Sequence, residues 1–72
     1  MPLVTIKGIE GVFNAEQRQQ AIKAVHNAMV SVEGPNMAGV TWVIFEEVKS
    51  GDWSIGGQCL TAEDVKKIQA GG

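Results

Sequence analysis

The chain has 72 residues, 44% of them hydrophobic, and a net charge of −2 at pH 7. That length allows one small domain with little interior of its own. The composition offers no basic run for nucleic acid, no apolar stretch of membrane-spanning length and, with Cys59 as its only cysteine, neither a disulfide framework nor a cysteine-based zinc motif. The N-terminus lacks the charged and apolar regions of a secretory leader, so a cytoplasmic protein is expected. A chain this rich in apolar residues and this short is expected to gain further burial by oligomerising.

Met1-Pro2 opens the chain, and Pro2 to Lys7 predicts a strand, with Val4 and Ile6 on one face and Leu3, Thr5 and Lys7 on the other. Removal of Met1 would make Pro2 a free secondary amine. Such an amine can act as a general base or attack a carbonyl carbon, although Met-Pro is also an ordinary start before a first strand. Gly8 and Gly11 interrupt the strand. Asn14 with Gln17 forms a capping-box pattern, and a stripe of Ala21, Ile22, Val25, Ala28, Met29 and Val32 predicts a helix over 15–33. Gly34-Pro35 ends it. A loop over 36–39 and a second strand over 40–47 follow.

Strand, helix, strand makes a βαβ unit, with parallel strands and a right-handed crossover. The class is therefore α/β. One face of such a two-stranded sheet meets the helix; the other is bare, and both outer edges are open. Residues 50–58 alternate Trp53 and Ile55 between glycines and polar residues, the pattern of a short hairpin or β-arm. Thr61 to Asp64 resembles another helix start, predicting a short helix over 62–69, and Gly71-Gly72 is expected to fray. Residues 1–57 are read as core and arm, and 58–72 as a tail of the same domain.

Pro2, the Ile9-Glu10-Gly11 turn, the capped helix beginning at Glu16-Gln17-Arg18, the strand ending in Glu46-Glu47, and Gly51-Asp52-Trp53-Ser54-Ile55-Gly56-Gly57 occur in this order. Together they resemble the 4-oxalocrotonate tautomerase family. The resemblance implies a β-α-β subunit assembled as a homohexamer, a trimer of dimers, with no metal and no organic cofactor. It implies keto–enol proton transfer on a small-molecule substrate, with Pro2 as the catalytic base, Trp53 as an aromatic wall and Ile9 as an apolar lining residue.

The chain departs from the pattern at two positions. Where family members carry arginines that hold a dicarboxylate, it has Val12 and Trp42. Neither reproduces bidentate carboxylate recognition, so the expected substrate is a more apolar or aromatic enol or carbonyl compound. Val12, Trp42 and Ile55 join Ile9 and Trp53 as expected binding residues. Apolar surroundings disfavour a cationic amine and so leave more free base. A developing enolate would need a donor, such as a backbone N–H, an indole N–H, a lysine or a water.

Two alternatives stay open: another proline-dependent reaction on the same scaffold (hydration, dehalogenation or decarboxylation), and a non-catalytic oligomeric binding protein. Arg18, Lys23 and His26 read as solvated helix surface, and Cys59 as packing.

Overall fold

In the computed structural model, which describes residues 2–71, strand β1 (Leu3–Ile9) and strand β2 (Trp42–Val48) run parallel, with Leu3 opposite Trp42 and Ile9 opposite Val48. Helix α1 (Ala15–Glu33) makes the crossover between them. The expectations placed on Met1 and on Gly72 lie outside the described residues. The α/β class and the β-α-β order agree with the sequence reading.

The alternation along β1 and β2 divides their side chains between two environments. Val4, Ile6, Val43 and Phe45 are half-buried on the helix side, whereas Leu3, Thr5, Trp42 and Ile44 face outward. At the end of β1 the chain is most enclosed: Gly8 and Ile9 are buried, and Ile9 is only 6% exposed.

Helix α1 starts where its cap requires. The Asn14 side chain accepts from the Gln17 N–H at 2.8 Å, and the Gln17 side chain accepts from the Asn14 N–H at 2.9 Å. Two orphan donors are thus satisfied at once. The inward stripe is rotated from the expected one. Ala21, Ile22, Val25 and Met29 are half-buried as expected, but so are Arg18, His26 and Val30, while Ala28 and Val32 face outward. The stripe follows the row that includes His26 because the His26 Nε2 finds a partner in the Ala38 carbonyl, at 3.0 Å. A half-buried polar ring is tolerated when it is hydrogen-bonded.

Residues 35–40, expected mainly as a loop, form a 3₁₀ helix, Pro35–Val40. Pro35 stops α1 yet suits the first position of a new helix, where its missing N–H is no loss. The Thr41 hydroxyl lies within hydrogen-bonding reach of the Glu33 carboxylate and the Met37 carbonyl, tying this turn to the end of α1. The 3₁₀ helix takes up Val40, so β2 begins at Trp42 rather than at residue 40 and runs on to Val48.

The arm is a hairpin of β3 (Trp53–Ile55) and β4 (Gln58–Leu60). Gly56 and Gly57 form its two-residue turn with φ of 60° and 85°, the doubly positive geometry that side chains disfavour and hairpin twist requires. Strand β4 comes from the stretch that the sequence reading assigned to the tail. Helix α2 (Ala62–Gln69) follows, with a second capping box in which Thr61 and Asp64 are the partners. Gly71 closes it, donating its N–H to the Ile68 carbonyl at 3.0 Å with φ of 81°.

Candidate active site

Pro2 and Trp42 lie together at the start of the sheet. The Trp42 N–H donates to the Pro2 carbonyl at 3.0 Å. Pro2 is half-exposed, and Trp42 is 55% exposed on the bare sheet face beside Leu3.

The other expected residues sit elsewhere. Ile9, Val12, Trp53 and Ile55 line one cavity of about 430 Å³ at the far end of β1. This is within the range of small-molecule sites, roughly 300–1,000 Å³. From Pro2 to Ile9 the extended strand covers about 23 Å at ~3.3 Å per residue. Within one chain, therefore, the expected site residues form two groups at opposite ends of β1.

The cavity is built by three elements. Strand β1 delivers Gly8 and Ile9 and then turns through Gly11, whose φ is 88°. The Glu10 N–H donates to the Val48 carbonyl at 2.7 Å, so the sheet ladder runs up to the turn and fixes where Val12 and Phe13 emerge. The hairpin delivers Trp53, Ile55 and Leu60. Its base is fastened by the Gly51 N–H to the Leu60 carbonyl at 3.0 Å and by the Asp52 N–H to the Lys49 carbonyl at 2.9 Å. Helix α2 delivers Val65, Ile68 and Gln69.

The lining carries no charged side chain; its polar side-chain groups are the Gln69 amide and the Trp53 indole N–H. Such a wall suits an apolar or aromatic group and offers no cation to a carboxylate.

Phe13, part of the lining, meets Phe45 edge to face with centroids 5.7 Å apart. Arg18 fixes this corner: its Nη1 donates to the Phe13 carbonyl at 2.8 Å and reaches the Glu47 carboxylate at 3.3 Å. The sequence reading placed Arg18 on solvated surface; instead it joins the start of α1 to the end of β2. Lys7 is 4.0 Å from Glu46 in an exposed pair on the bare face of the sheet, and Cys59 is exposed on β4.

Sequence reasoning did not place Gly8, Leu60, Val65, Ile68 or Gln69 at the site. The apolar spacing of Val65 and Ile68 on a capped helix was the available signal, but the cavity they face comes from distant parts of the chain. No helix among the described residues is long and apolar enough to cross a membrane.

Comparison with known proteins identifies the family. The family model described as "Tautomerase enzyme" matches residues 2–63. The chain is 39% identical over 61 residues to a probable tautomerase K2 of Dickeya dadantii, covering 85% of this chain and 90% of that protein. It is 37% identical over 62 residues to a probable tautomerase of Helicobacter pylori strain J99, covering 83% and 90%.

Among solved structures, an apo unfused 4-OT superposes with a TM-score of 0.72 at 31% identity, covering 88% of this chain and 97% of that one. A structure from work on the 4-oxalocrotonate tautomerase isozymes of Methylibium petroleiphilum gives 0.71 at 31% identity, covering 89% and 97%. By its sequence from residue 2 to residue 63 and by its fold, the chain belongs to the tautomerase family.

Proposed function

We propose that this chain is an isomerase that moves a proton on an enol or α-keto compound, with the Pro2 nitrogen as base after removal of Met1. We propose further that a second copy completes each site, within a homohexamer built as a trimer of dimers. The observation that carries this reading is the separation of Pro2 from the apolar cavity by the whole length of β1. One chain holds both halves but cannot bring them together, whereas a neighbour's Pro2 end can approach this chain's Ile9 and Trp53. The family match, beginning at Pro2, supports the choice of that residue.

In this mechanism the secondary amine takes the proton from the enol hydroxyl or from the carbon beside the carbonyl. The electron pair moves along the conjugated system, and the protonated amine returns the proton to a different atom. Base and acid are the same nitrogen in turn, so the cycle needs no external oxidant or reductant. With Met1 attached that nitrogen is an amide, and its lone pair is committed to the peptide bond.

Apolar walls around the cavity favour the neutral amine over its cation. Trp42 is bonded to Pro2 through its backbone N–H, and in this mechanism its indole N–H is the donor to the developing enolate oxygen. Val12 and Trp42, which stand where family members carry arginines, direct the pocket towards a substrate with an apolar side group.

The test joins mass to chemistry. Intact mass of the native protein is expected to show the chain beginning at Pro2, and the purified protein is expected to isomerise phenylenolpyruvate. Pro2→Ala is expected to lower kcat at least ~100-fold, the scale of a lost general base, while eluting at the same size. Full activity in that variant would overturn the reading, as would retention of Met1 in an active enzyme.

A further inference from the structure

The cavity has a wall that the family match does not reach. The match ends at residue 63, whereas Val65, Ile68 and Gln69, on the last turns of α2, line the cavity. The base of α2 is hydrogen-bonded to the root of the arm and lies beside the turn after β1. The Ser50 hydroxyl oxygen accepts from the Ala62 N–H at 2.9 Å, and the methyl of Ala62 comes within 3.4 Å of where a Cβ on Gly11 would stand. The capping box at Thr61 and Asp64 then sets the helix direction. Along it Val65 is half-buried, while Ile68 is 68% exposed although it lines the cavity. The single chain therefore presents an apolar side chain to a small-molecule-sized space and leaves most of it uncovered.

We propose that α2 is a specificity element of the site: Val65 and Ile68 hold the ring or branched apolar side group of the substrate, whose enol end faces the neighbouring copy's proline. This rests on the isomerase reading above and adds the element that selects the substrate's side group. The occupant is an enol or α-keto acid with an aromatic or branched side group. The cavity volume admits it, the uncharged lining favours it, and a second carboxylate would find no cation there. The chain's tail thus contributes directly to what the pocket accepts.

The experiment compares kcat/KM for phenylenolpyruvate with kcat/KM for 2-hydroxy-2,4-pentadienoate, which lacks the ring, in the full-length oligomer. Val65→Ala and Ile68→Ala are each expected to lower the ratio of ring to ringless substrate about tenfold, the lower end of what apolar pocket contacts discriminate. Ile68→Trp, which fills the space from an exposed position, is expected to lower the same ratio by excluding the ring. Size-exclusion chromatography accompanies each variant. A ratio within about twofold of the parent in all three, well below that discrimination, overturns the role of α2. So does a ratio that changes only in variants that also lose their assembly, since α2 would then be serving a subunit contact.

Pro2→Ala separates the two levels. Undiminished turnover in that variant, or no turnover of either enol by the parent, overturns the isomerase reading and this inference together. Proline-dependent turnover with an unchanged ratio overturns this inference alone.

Discussion

At Gly8 two aromatic rings leave room for a hydrogen and little more. A Cβ there would lie 3.0 Å from Phe45 Cζ, 3.2 Å from Phe45 Cε1 and 3.4 Å from Phe13 Cδ2. The backbone is ordinary strand, so the constraint is contact, not conformation. Gly8→Ala is expected to destabilise by about 1–3 kcal/mol, as overpacking does, and to lower the denaturant midpoint.

Arg18 is the polar counterpart at the same corner. Arg18→Ala removes both the Phe13 carbonyl bond and the Glu47 pair; a loss of about 1 kcal/mol is expected for a partly exposed, charged hydrogen bond. A double-mutant cycle with Glu47→Gln apportions it. Arg18→Lys should recover only part, because both contacts are made by Nη1 at the far end of the guanidinium, and the shorter lysine side chain does not place its ammonium there. Neither role was legible from spacing: Gly8 read as a strand breaker and Arg18 as surface, because each also depends on a residue of β2, Phe45 or Glu47, that is distant in the sequence.

Among the elements, those governed by local chemistry were the legible ones. Both helices begin at capping boxes readable from four consecutive residues, and the hairpin turns at a glycine pair that favours its geometry. The 3₁₀ helix and the rotation of the α1 stripe were not legible, because both depend on bonds from His26 and Thr41 to backbone carbonyls beyond the helix. At the candidate site, four of the expected residues share a cavity, while the wall supplied by α2 emerges only once the chain folds back over Gly11.

Helix α2 also has a titratable cap. The Asp64 carboxyl is held below its usual value of 3.8, chiefly by the hydrogen bond from the Thr61 backbone N–H and next by the Thr61 side chain, with Lys67 adding a smaller attraction against slight desolvation. A depressed carboxylate contributes its stabilisation above the unfolded-state value and loses it as pH falls through the folded-state value. The protection factors of the α2 amides, taken against intrinsic exchange at each pH, are therefore expected to fall as pH is lowered below about 4. Asp64→Asn should flatten that dependence. If the helix remains equally protected in the parent and in Asp64→Asn at every pH, the carboxylate is not what fastens it.

As a whole, the single chain is too open for its mass. Its accessible surface is 5159 Å², against about 4,300 Å² for a compact monomer of this size. Its radius of gyration is 14.7 Å, against about 11 Å expected. The excess has identifiable sources: a projecting arm, and a sheet face on which Leu3, Trp42 and Ile44 are 59%, 55% and 39% exposed. Apolar surface arranged in this way calls for a partner. Ile44→Lys is expected to shift the protein to smaller species in sedimentation velocity and to lower its melting temperature. A parent chain that sediments as a monomer at micromolar concentration would remove the basis for a site shared between copies.

The register of the parallel pair also bears on how quickly the chain finds its fold. Every residue of β1 faces one about forty positions later, with α1 and the 3₁₀ turn between them. No hairpin can start this sheet, so loop-closure entropy must be met before the first inter-strand bond forms. Helix α1 eases that closure by replacing nineteen flexible residues with a rod about 28 Å long. Weakening its cap by Asn14→Ala should therefore slow refolding in stopped-flow experiments, not merely hasten unfolding. The same residue that begins the crossover would then set the pace at which the two strands meet.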